Sequence, residues 1–311
     1  MLFRSLILRV SSWKWVERFV RGSKIMRRVV KRFVAGDTLE EAIPVAEALA
    51  AEGYYVTLDL LGEHAAGPVD GDAALAEYEE ILHRLAKSPH SGGSQPEKIN
   101  ASIKLTQLGL IEEEQESVDR LIKLLNVAKQ YGNFVRVDME ESACTDRTLN
   151  AVVKGFDACG NVGVAIQSML YRSEKDVEAL NEKGIRIRLV KGAYLEPPEV
   201  ARQAKSEVDT AYLHLGKAML EHGTYPAFGT HDDKLITQLQ SFANERKIEP
   251  SDYEFQMLFG IRRPLQKSLK DAGANVRIYV PYGTSWYPYF TRRLAERPAN
   301  LLFFLRSLFG K

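Results

Sequence analysis

The sequence has few cysteines, no long apolar run and almost no net charge, and each scarcity excludes a class of protein. The two cysteines, Cys144 and Cys159, form neither a CxxC pair nor a metal-ligand spacing. A disulfide-rich secreted fold is therefore excluded, and a reducing, cytoplasmic location is expected. The apolar runs fall far short of the roughly 20 residues that a transmembrane helix needs. The N-terminus also lacks the pattern of a secretory signal peptide.

The formal net charge of +1 conceals an uneven distribution. Residues 1–34 carry ten Lys and Arg and one acidic residue, a net charge of +9, whereas the rest of the chain carries −8. Nucleic acid is not an expected partner, because the larger part is acidic and no basic stripe alternates with aromatic residues. Basic helices attract anionic lipid, so we hypothesise reversible peripheral association of this segment with the inner face of the membrane.

The first 55 residues have a helical pattern. Apolar residues recur at i, i+3, i+4 and i+7 between residues 26 and 33, with basic residues between them. Thr38 and Glu41 have the spacing of a capping box, which predicts a helix that continues to Ala51. We therefore predict an N-terminal helical segment over residues 1–55.

From residue 56 to residue 311, short β-rich runs alternate with amphipathic helical stretches. The predicted strands are Val56–Leu61, Ile99–Leu105, Phe134–Met139, Val162–Ser168, Ile185–Val190, Pro226–Thr230, Tyr253–Phe259 and Val276–Val280. Eight strand–helix units over about 250 residues are typical of an α/β fold of the (βα)8 barrel type. An open doubly wound sheet is the main alternative, although no GxGxxG motif follows the first strand.

Every predicted strand has a polar or ionisable residue near its carboxyl end. These residues are Asp59, Lys104, Asp138, Gln167, Arg188, Lys191, Thr230, His231, Asp232, Gln256 and Tyr279. For any one of them a structural role in the barrel interior is the better interpretation, because burying a charge is costly unless it is paired. Eight strands with this feature at one end favour a shared active site, since barrel enzymes have their chemistry there. No cluster has the spacing of a metal site.

Two adjacent arginines, Arg292 and Arg293, lie at the start of a predicted helix just after the last strand. Positive charge at a helix start opposes the helix dipole, so an anion is expected to compensate it. Paired guanidinium groups suit a carboxylate or a phosphate. A solvated basic patch is the alternative, but the position above a strand end favours an anion site.

Four motifs, IRLVKGAY, GTHD, YVPYG and a YxxRRxxE signature formed by Tyr289, Arg292, Arg293 and Glu296, resemble those of the proline dehydrogenase family. The resemblance runs from about Leu39 to the C-terminus. It implies a flavoenzyme of the monofunctional bacterial type that oxidises L-proline to Δ1-pyrroline-5-carboxylate and passes electrons through FAD to a quinone. It also implies a distorted (βα)8 barrel whose eighth helix lies above the barrel mouth.

The same resemblance implies a role for each matching residue. Arg292 and Arg293 would bind the proline carboxylate, with Lys104 as a third cation. Asp138 would face the amine. The apolar wall against the ring would be Tyr279, with Leu258 as a further candidate. The cofactor residues would be Arg188 near flavin N5, Gln167 at the isoalloxazine, Lys191, Gly192 and Ala193 at the phosphates and ribitol, Thr230 and His231 at the adenosine half, and Glu296.

Chemistry gives a reason for these roles and leaves some alternatives open. A cation near the flavin, such as Arg188, would tune its potential. The reacting amine must be neutral, so either a base or the solvent must take its proton. The prolines in Glu196–Arg202 predict a loop that covers the flavin. A Schiff-base aldolase that uses Lys104 or Lys191, and a non-catalytic adaptor that binds a membrane surface through the basic N-terminus, are the competing functions.

Overall fold

The structure is a computed structural model that describes residues 29–62, 70–91 and 96–296, together with Arg18, Gly22 and Ser23, and only the backbone of residues 292–296. Its parallel strands form a closed barrel in the order β1 to β8. The strands are β1 (Tyr55–Leu60), β2 (Ile99–Ile103), β3 (Val135–Val137), β4 (Val162–Gln167), β5 (Arg186–Val190), β6 (Ala227–Gly229), β7 (Glu254–Leu258) and β8 (Asn275–Tyr282).

Helices alternate with these strands. Within the described residues they are α1 (Leu39–Ala51), α2 (Gly71–Ala86), α3 (Glu114–Gln130), α4 (Thr145–Cys159), α5 (Ser173–Glu182), α6 (Lys205–His222), α7 (Asp233–Glu245), α8 (Arg263–Asp271) and α9 (Trp286–Glu296). Strand β1 pairs with β8 as well as with β2, which closes the sheet. The prediction of a (βα)8 barrel is thereby confirmed, and the open doubly wound sheet is wrong.

Helix α1 starts and ends where the sequence predicts. The Thr38 hydroxyl accepts a hydrogen bond from the amide of Glu41, and the Glu41 carboxylate accepts one from the amide of Asp37 at 2.7 Å. The first bond satisfies a backbone donor that the first turn of a helix cannot pair internally, and the second fixes the residue that precedes the N-cap. The buried face of α1, including Ala42 and Ala46, belongs to the same apolar core as the barrel strands.

The end of the basic N-terminal segment packs on the barrel. Val29 and Val30 are helical and buried, and with Phe33 they form a cluster with Trp286 and Phe290 of α9. The earlier part of this predicted helix, including Met26, lies outside the described residues. Among the residues that the structure describes, no helix is both long enough and apolar enough to cross a membrane. Between these buried residues, Lys31 and Arg32 of the same segment are exposed.

The amino-terminal half of the barrel interior contains a buried ion pair. Arg277 Nε lies 2.8 Å from Glu254 Oε1, and both side chains are 1% exposed. Arg277 also donates to the carbonyl of Val56, and the Gln256 amide donates to Glu254. Gln256 thus stabilises this internal ion pair, although its position in the sequence had suggested a place in the site at the carboxyl end of the barrel.

Candidate active site

Side chains from several strands meet around Asp138, the residue that follows β3. Its carboxylate accepts a hydrogen bond from the Tyr279 hydroxyl at 2.6 Å and further bonds from Ser102 and Arg188. Lys104 Nζ lies 3.6 Å from the same carboxylate. Since Arg188 and Tyr279 come from β5 and β8, which are not neighbours of β3, these contacts cross the barrel interior. The structure therefore brings Lys104, Asp138, Arg188 and Tyr279 together.

A second carboxylate, Asp59 of β1, belongs to the same cluster. Asp59 Oδ1 lies 2.6 Å from Lys104 Nζ, and Asp59 is 1% exposed. Two carboxylates therefore face two cations, Lys104 and Arg188, and the buried charges balance. Balanced pairing is what allows ionised side chains to stay inside a protein.

The environment separates the pKa values of the two carboxylates. Burial alone would raise the pKa of Asp138, but Arg188 and Lys104 outweigh it and lower that pKa to about 2. Burial raises the pKa of Asp59 to about 6, since Lys104 offsets it only in part and the Asp138 charge adds to it. Asp138 therefore stays an anion, whereas Asp59 is poised to bind a proton near neutral pH.

Lys104 stays a cation. Burial lowers its pKa, but the carboxylates of Asp59 and Asp138 outweigh burial and hold the pKa above its ordinary value. A Schiff-base nucleophile must be a neutral amine. Lys104 in this setting is suited to bind an anion rather than to attack a carbonyl.

An apolar wall adjoins this charged cluster. Leu258 of β7 and Tyr279 of β8 are paired in the strand register, so their side chains lie side by side on the same face of the sheet. Arg188 Cζ lies 5.3 Å from the centroid of the Tyr279 ring. The cluster thus combines two carboxylates, two cations and an apolar surface, which suits a small zwitterion with an apolar side.

Gln167, at the end of β4, is buried and donates its amide to the carbonyl of Glu140 at 3.0 Å. Glu140 is itself held by the Thr106 hydroxyl at 2.6 Å, and burial raises its pKa. Sequence reasoning gave no role to Glu140 or to Ser102. A serine in a strand and a glutamate in an acidic turn are common, so neither carries a distinctive signal.

Ion pairs of Lys191 link the loop after β5 to α6 and to the loop after β6. Lys191 Nζ lies 2.6 Å from Asp209 of α6 and 3.1 Å from Asp232, which follows β6. Thr230 accepts a hydrogen bond from the amide of Asp232. His231 Nε2 accepts one from the amide of Leu258 at 2.9 Å. Because a backbone amide can only donate, Nε2 carries no proton.

Gly192 and its neighbour Ala193 follow β5 in an irregular segment. Gly192 has a φ of +118°, and a Cβ atom there would lie 2.3 Å from Met169 Sδ. This φ favours glycine, and an added Cβ atom would require the Met169 side chain to move. Further along, Glu196 accepts a hydrogen bond from the amide of Ser142 at 2.7 Å, which ties this loop to the segment after β3. The predicted loop at Glu196–Arg202 is thus found, and its cover of a flavin stays a prediction.

A helix follows β8, as predicted, and includes Arg292, Arg293 and Glu296. The prediction that the two arginines lie at its start is wrong, because α9 already begins at Trp286 and the pair lies almost two turns further on, so the helix dipole gives no reason for an anion there. The side chains of these three residues lie outside the part of the chain that the structure describes.

Comparison with known proteins identifies the family. The sequence profile of the family described as proline dehydrogenase matches residues 42–306. The chain belongs to the proline dehydrogenase family. It is 38% identical to the proline dehydrogenase of Deinococcus radiodurans, with 99% of this chain and 98% of that protein aligned. It is 37% identical to proline dehydrogenase 1 of Bacillus subtilis over the full length of both.

A solved structure has a similar fold. The crystal structure of proline utilization A (PutA) from Bdellovibrio bacteriovorus, inactivated by N-propargylglycine, matches with a TM-score of 0.83 and 26% identity. The match covers 95% of this chain and 36% of that chain. Membership of the proline dehydrogenase family confirms an oxidoreductase of proline catabolism, and the aldolase and adaptor functions are not supported.

Proposed function

We propose that this chain oxidises L-proline to Δ1-pyrroline-5-carboxylate, with FAD as its cofactor and a quinone as the electron acceptor. The observation that carries the proposal is the buried Asp138 carboxylate, kept anionic by Arg188 and Lys104 at the carboxyl end of the barrel. Its setting provides complementary charge for a zwitterionic amino acid, and family membership specifies which one.

The substrate is oriented by opposite charges at its two ends. Asp138 faces the ammonium group, while Arg292 and Arg293 bind the carboxylate with Lys104 as a third cation. The pyrrolidine ring packs against the wall formed by Tyr279 and Leu258. Three fixed contacts hold the reacting carbon in one orientation, which is the main contribution that positioning makes to catalysis.

The chain also has groups that fit a flavin. Arg188 Nη1 is buried and has no hydrogen-bond acceptor within the described part of the chain. A buried donor without a partner costs about 1–3 kcal/mol, so an acceptor from outside the chain fits there. FAD, when bound, supplies the acceptor for the hydride of the substrate. The residues that would hold it are Gln167, Arg188, Lys191, Gly192, Ala193, Thr230, His231 and Glu296.

An absorption spectrum of the purified protein tests the proposal. We expect a flavin spectrum that bleaches when L-proline is added without oxygen. D-Proline is the matched control and should not bleach the flavin, because the contacts to the carboxylate and the amine select one enantiomer of the substrate. A protein without flavin absorbance contradicts the cofactor, and a flavin that L-proline does not bleach contradicts the substrate.

Substitution of Arg292 or Arg293 by alanine is expected to raise the KM for L-proline roughly 10- to 100-fold, since a hydrogen bond to a charged group contributes about 1.5–3 kcal/mol. Steady-state kinetics measures this change, and the flavin content should stay at the wild-type level. Arg263→Ala is the matched control, because Arg263 is an exposed arginine at the start of α8. A normal KM in both site variants would exclude the carboxylate clamp.

Gly192→Ala is expected to weaken FAD retention about tenfold, because the added Cβ would strike Met169 and an alanine at this φ is strained by about 1–3 kcal/mol. The ratio of flavin to protein absorbance measures retention. Gly160→Ala is the control, since Gly160 also has a positive φ but open space around it. Equal flavin content in the two variants would show that Gly192 does not lie at the cofactor.

Peripheral membrane contact falls to the basic residues of the segment 1–34. Each Lys or Arg near an anionic surface contributes about 1 kcal/mol, so replacing these residues by glutamine should abolish co-sedimentation with anionic liposomes. Neutral liposomes provide the control. Undiminished binding of the substituted protein to anionic liposomes would remove the hypothesis.

A further inference from the structure

Asp59 is a buried carboxylate that the proposed function does not use. In the strand register it lies opposite Ser102 of β2, the residue that donates to Asp138, so it lies at the level of the active-site cluster. Its contact with Lys104 at 2.6 Å is the shorter of the two that this lysine makes with carboxylates. Lys104 therefore connects Asp59 to Asp138.

The two carboxylates differ in how firmly they are held as anions. Asp138 receives hydrogen bonds from Ser102, Tyr279 and Arg188, whereas Asp59 depends on Lys104 with a smaller contribution from Tyr279. Carboxylates whose pKa values are pushed apart by their surroundings commonly divide the work of binding charge and transferring protons. The charged and titratable groups that face Asp59 are Lys104, Asp138, Tyr78, Arg188, Tyr279 and Tyr282.

We propose that Asp59, acting through Lys104, takes up the proton that the proline ammonium must lose before it is oxidised. This inference rests on the proposed function. One N–H bond of the ammonium breaks, and its electron pair stays on nitrogen. Lys104 first gives one of its own protons to Asp59, where an O–H bond forms, and a lone pair is left on Nζ. As Nζ closes the 3.6 Å to Asp138, this lone pair accepts the substrate proton, which has passed by way of the Asp138 carboxylate. The net change is a neutral amine and a neutral Asp59.

The charges and the burial favour this route. Before the transfer, the cluster of Asp59, Asp138, Lys104 and Arg188 has no net charge, and the zwitterion has none. After it, the cluster carries +1 and the substrate −1, so the total is unchanged and the new charges attract. Asp138 is only 8% exposed, so the proton of a bound ammonium needs an acceptor inside the barrel.

The test is the rate of flavin reduction by L-proline in Asp59→Asn, measured by anaerobic stopped flow from about pH 5 to about pH 10. Asparagine keeps an oxygen for Lys104 but cannot take a proton. We expect a wild-type rate that falls at acid pH as Asp59 becomes protonated. The variant should be about 100-fold slower near neutrality, the usual contribution of a positioned base. Its rate should recover tenfold per pH unit as the substrate amine deprotonates in solution.

The matched control is Glu254→Gln, which makes the same change at a buried carboxylate in the other half of the barrel. It should keep the wild-type pH profile, even if it is less stable. The proposal is overturned if Asp59→Asn reduces its flavin with the wild-type profile. A loss that is the same at every pH also overturns it, because misplacement of Lys104 would act in that way.

A measurement on the wild-type protein covers the case in which Asp59→Asn does not fold. Infrared difference spectra on anaerobic addition of L-proline should show the C=O band of a newly protonated carboxyl group. Tetrahydrofuran-2-carboxylate, the oxygen analogue of proline, has no ammonium proton and should give no such band. Absence of the band with L-proline overturns the role of Asp59. Failure of the proposed function is distinct, because the wild-type flavin would then not bleach at all.

Discussion

Replacing Asp138 by asparagine is expected to lower kcat/KM for L-proline by about two to three orders of magnitude. The substitution removes the anion that faces the substrate ammonium, and losing one partner of a buried charge pair between protein and ligand costs about 2–5 kcal/mol of binding energy. Since about 1.4 kcal/mol corresponds to a factor of ten, the middle of this range gives a loss of two to three orders of magnitude. Steady-state kinetics with L-proline measures the effect.

Two controls separate this effect from a general loss of structure. Asp157→Asn makes the same chemical change at an exposed pair with Lys183 on the outside of the barrel, and it should leave kcat/KM at the wild-type value. The flavin content and melting temperature of Asp138→Asn show whether the barrel is still formed. A folded Asp138→Asn protein with near-normal kcat/KM would show that Asp138 is not needed for substrate binding or catalysis.

Replacing Arg277 by methionine should lower the free energy of unfolding by about 3–5 kcal/mol. The change leaves the Glu254 charge in the barrel interior without its cation, and both side chains of the pair are 1% exposed. Burial would raise the pKa of Glu254, and in the wild-type protein Arg277 outweighs burial and lowers it. Urea denaturation monitored by circular dichroism measures the decrease in the free energy of unfolding.

The double variant Arg277→Met, Glu254→Gln should regain part of this loss, because it removes the stranded charge. Lys267→Ala breaks an exposed ion pair with Asp271 on α8 and should have no measurable effect on unfolding. If Arg277→Met unfolds at the wild-type urea concentration, the pair has no role in stability.

Much of the fold could be predicted because its signals are local. Each strand lies at its predicted run, since a β-rich segment between polar loops shows its conformation within six or eight residues. The start of α1 could be predicted for the same reason, because the Thr38 hydroxyl accepts a hydrogen bond from the amide of Glu41, only three residues further along the chain. Lys104, Asp138, Arg188 and Tyr279 could be selected as site candidates because each is polar in an otherwise apolar run near a strand end.

The partners of these residues could not be read from the chain. Asp138 meets Tyr279 across 141 positions of sequence, and Lys104 meets Asp59 across 45. Such pairs depend on the register between strands, which a one-residue shift would change completely. The same holds for Arg277 and Glu254, and for Gln256, whose position near a strand end suggested the site but whose amide serves the internal pair.

The amino-acid order alone therefore establishes the strands, the helices and which end of the barrel has the polar residues. Closure of β8 onto β1 is what turns those residues into one site, because it places the ends of distant strands around a common axis. It also decides their electrostatics. Asp59 and Asp138 are chemically identical, and they differ in proton affinity because Arg188 and Ser102 donate hydrogen bonds to Asp138, whereas the close cationic partner of Asp59 is Lys104.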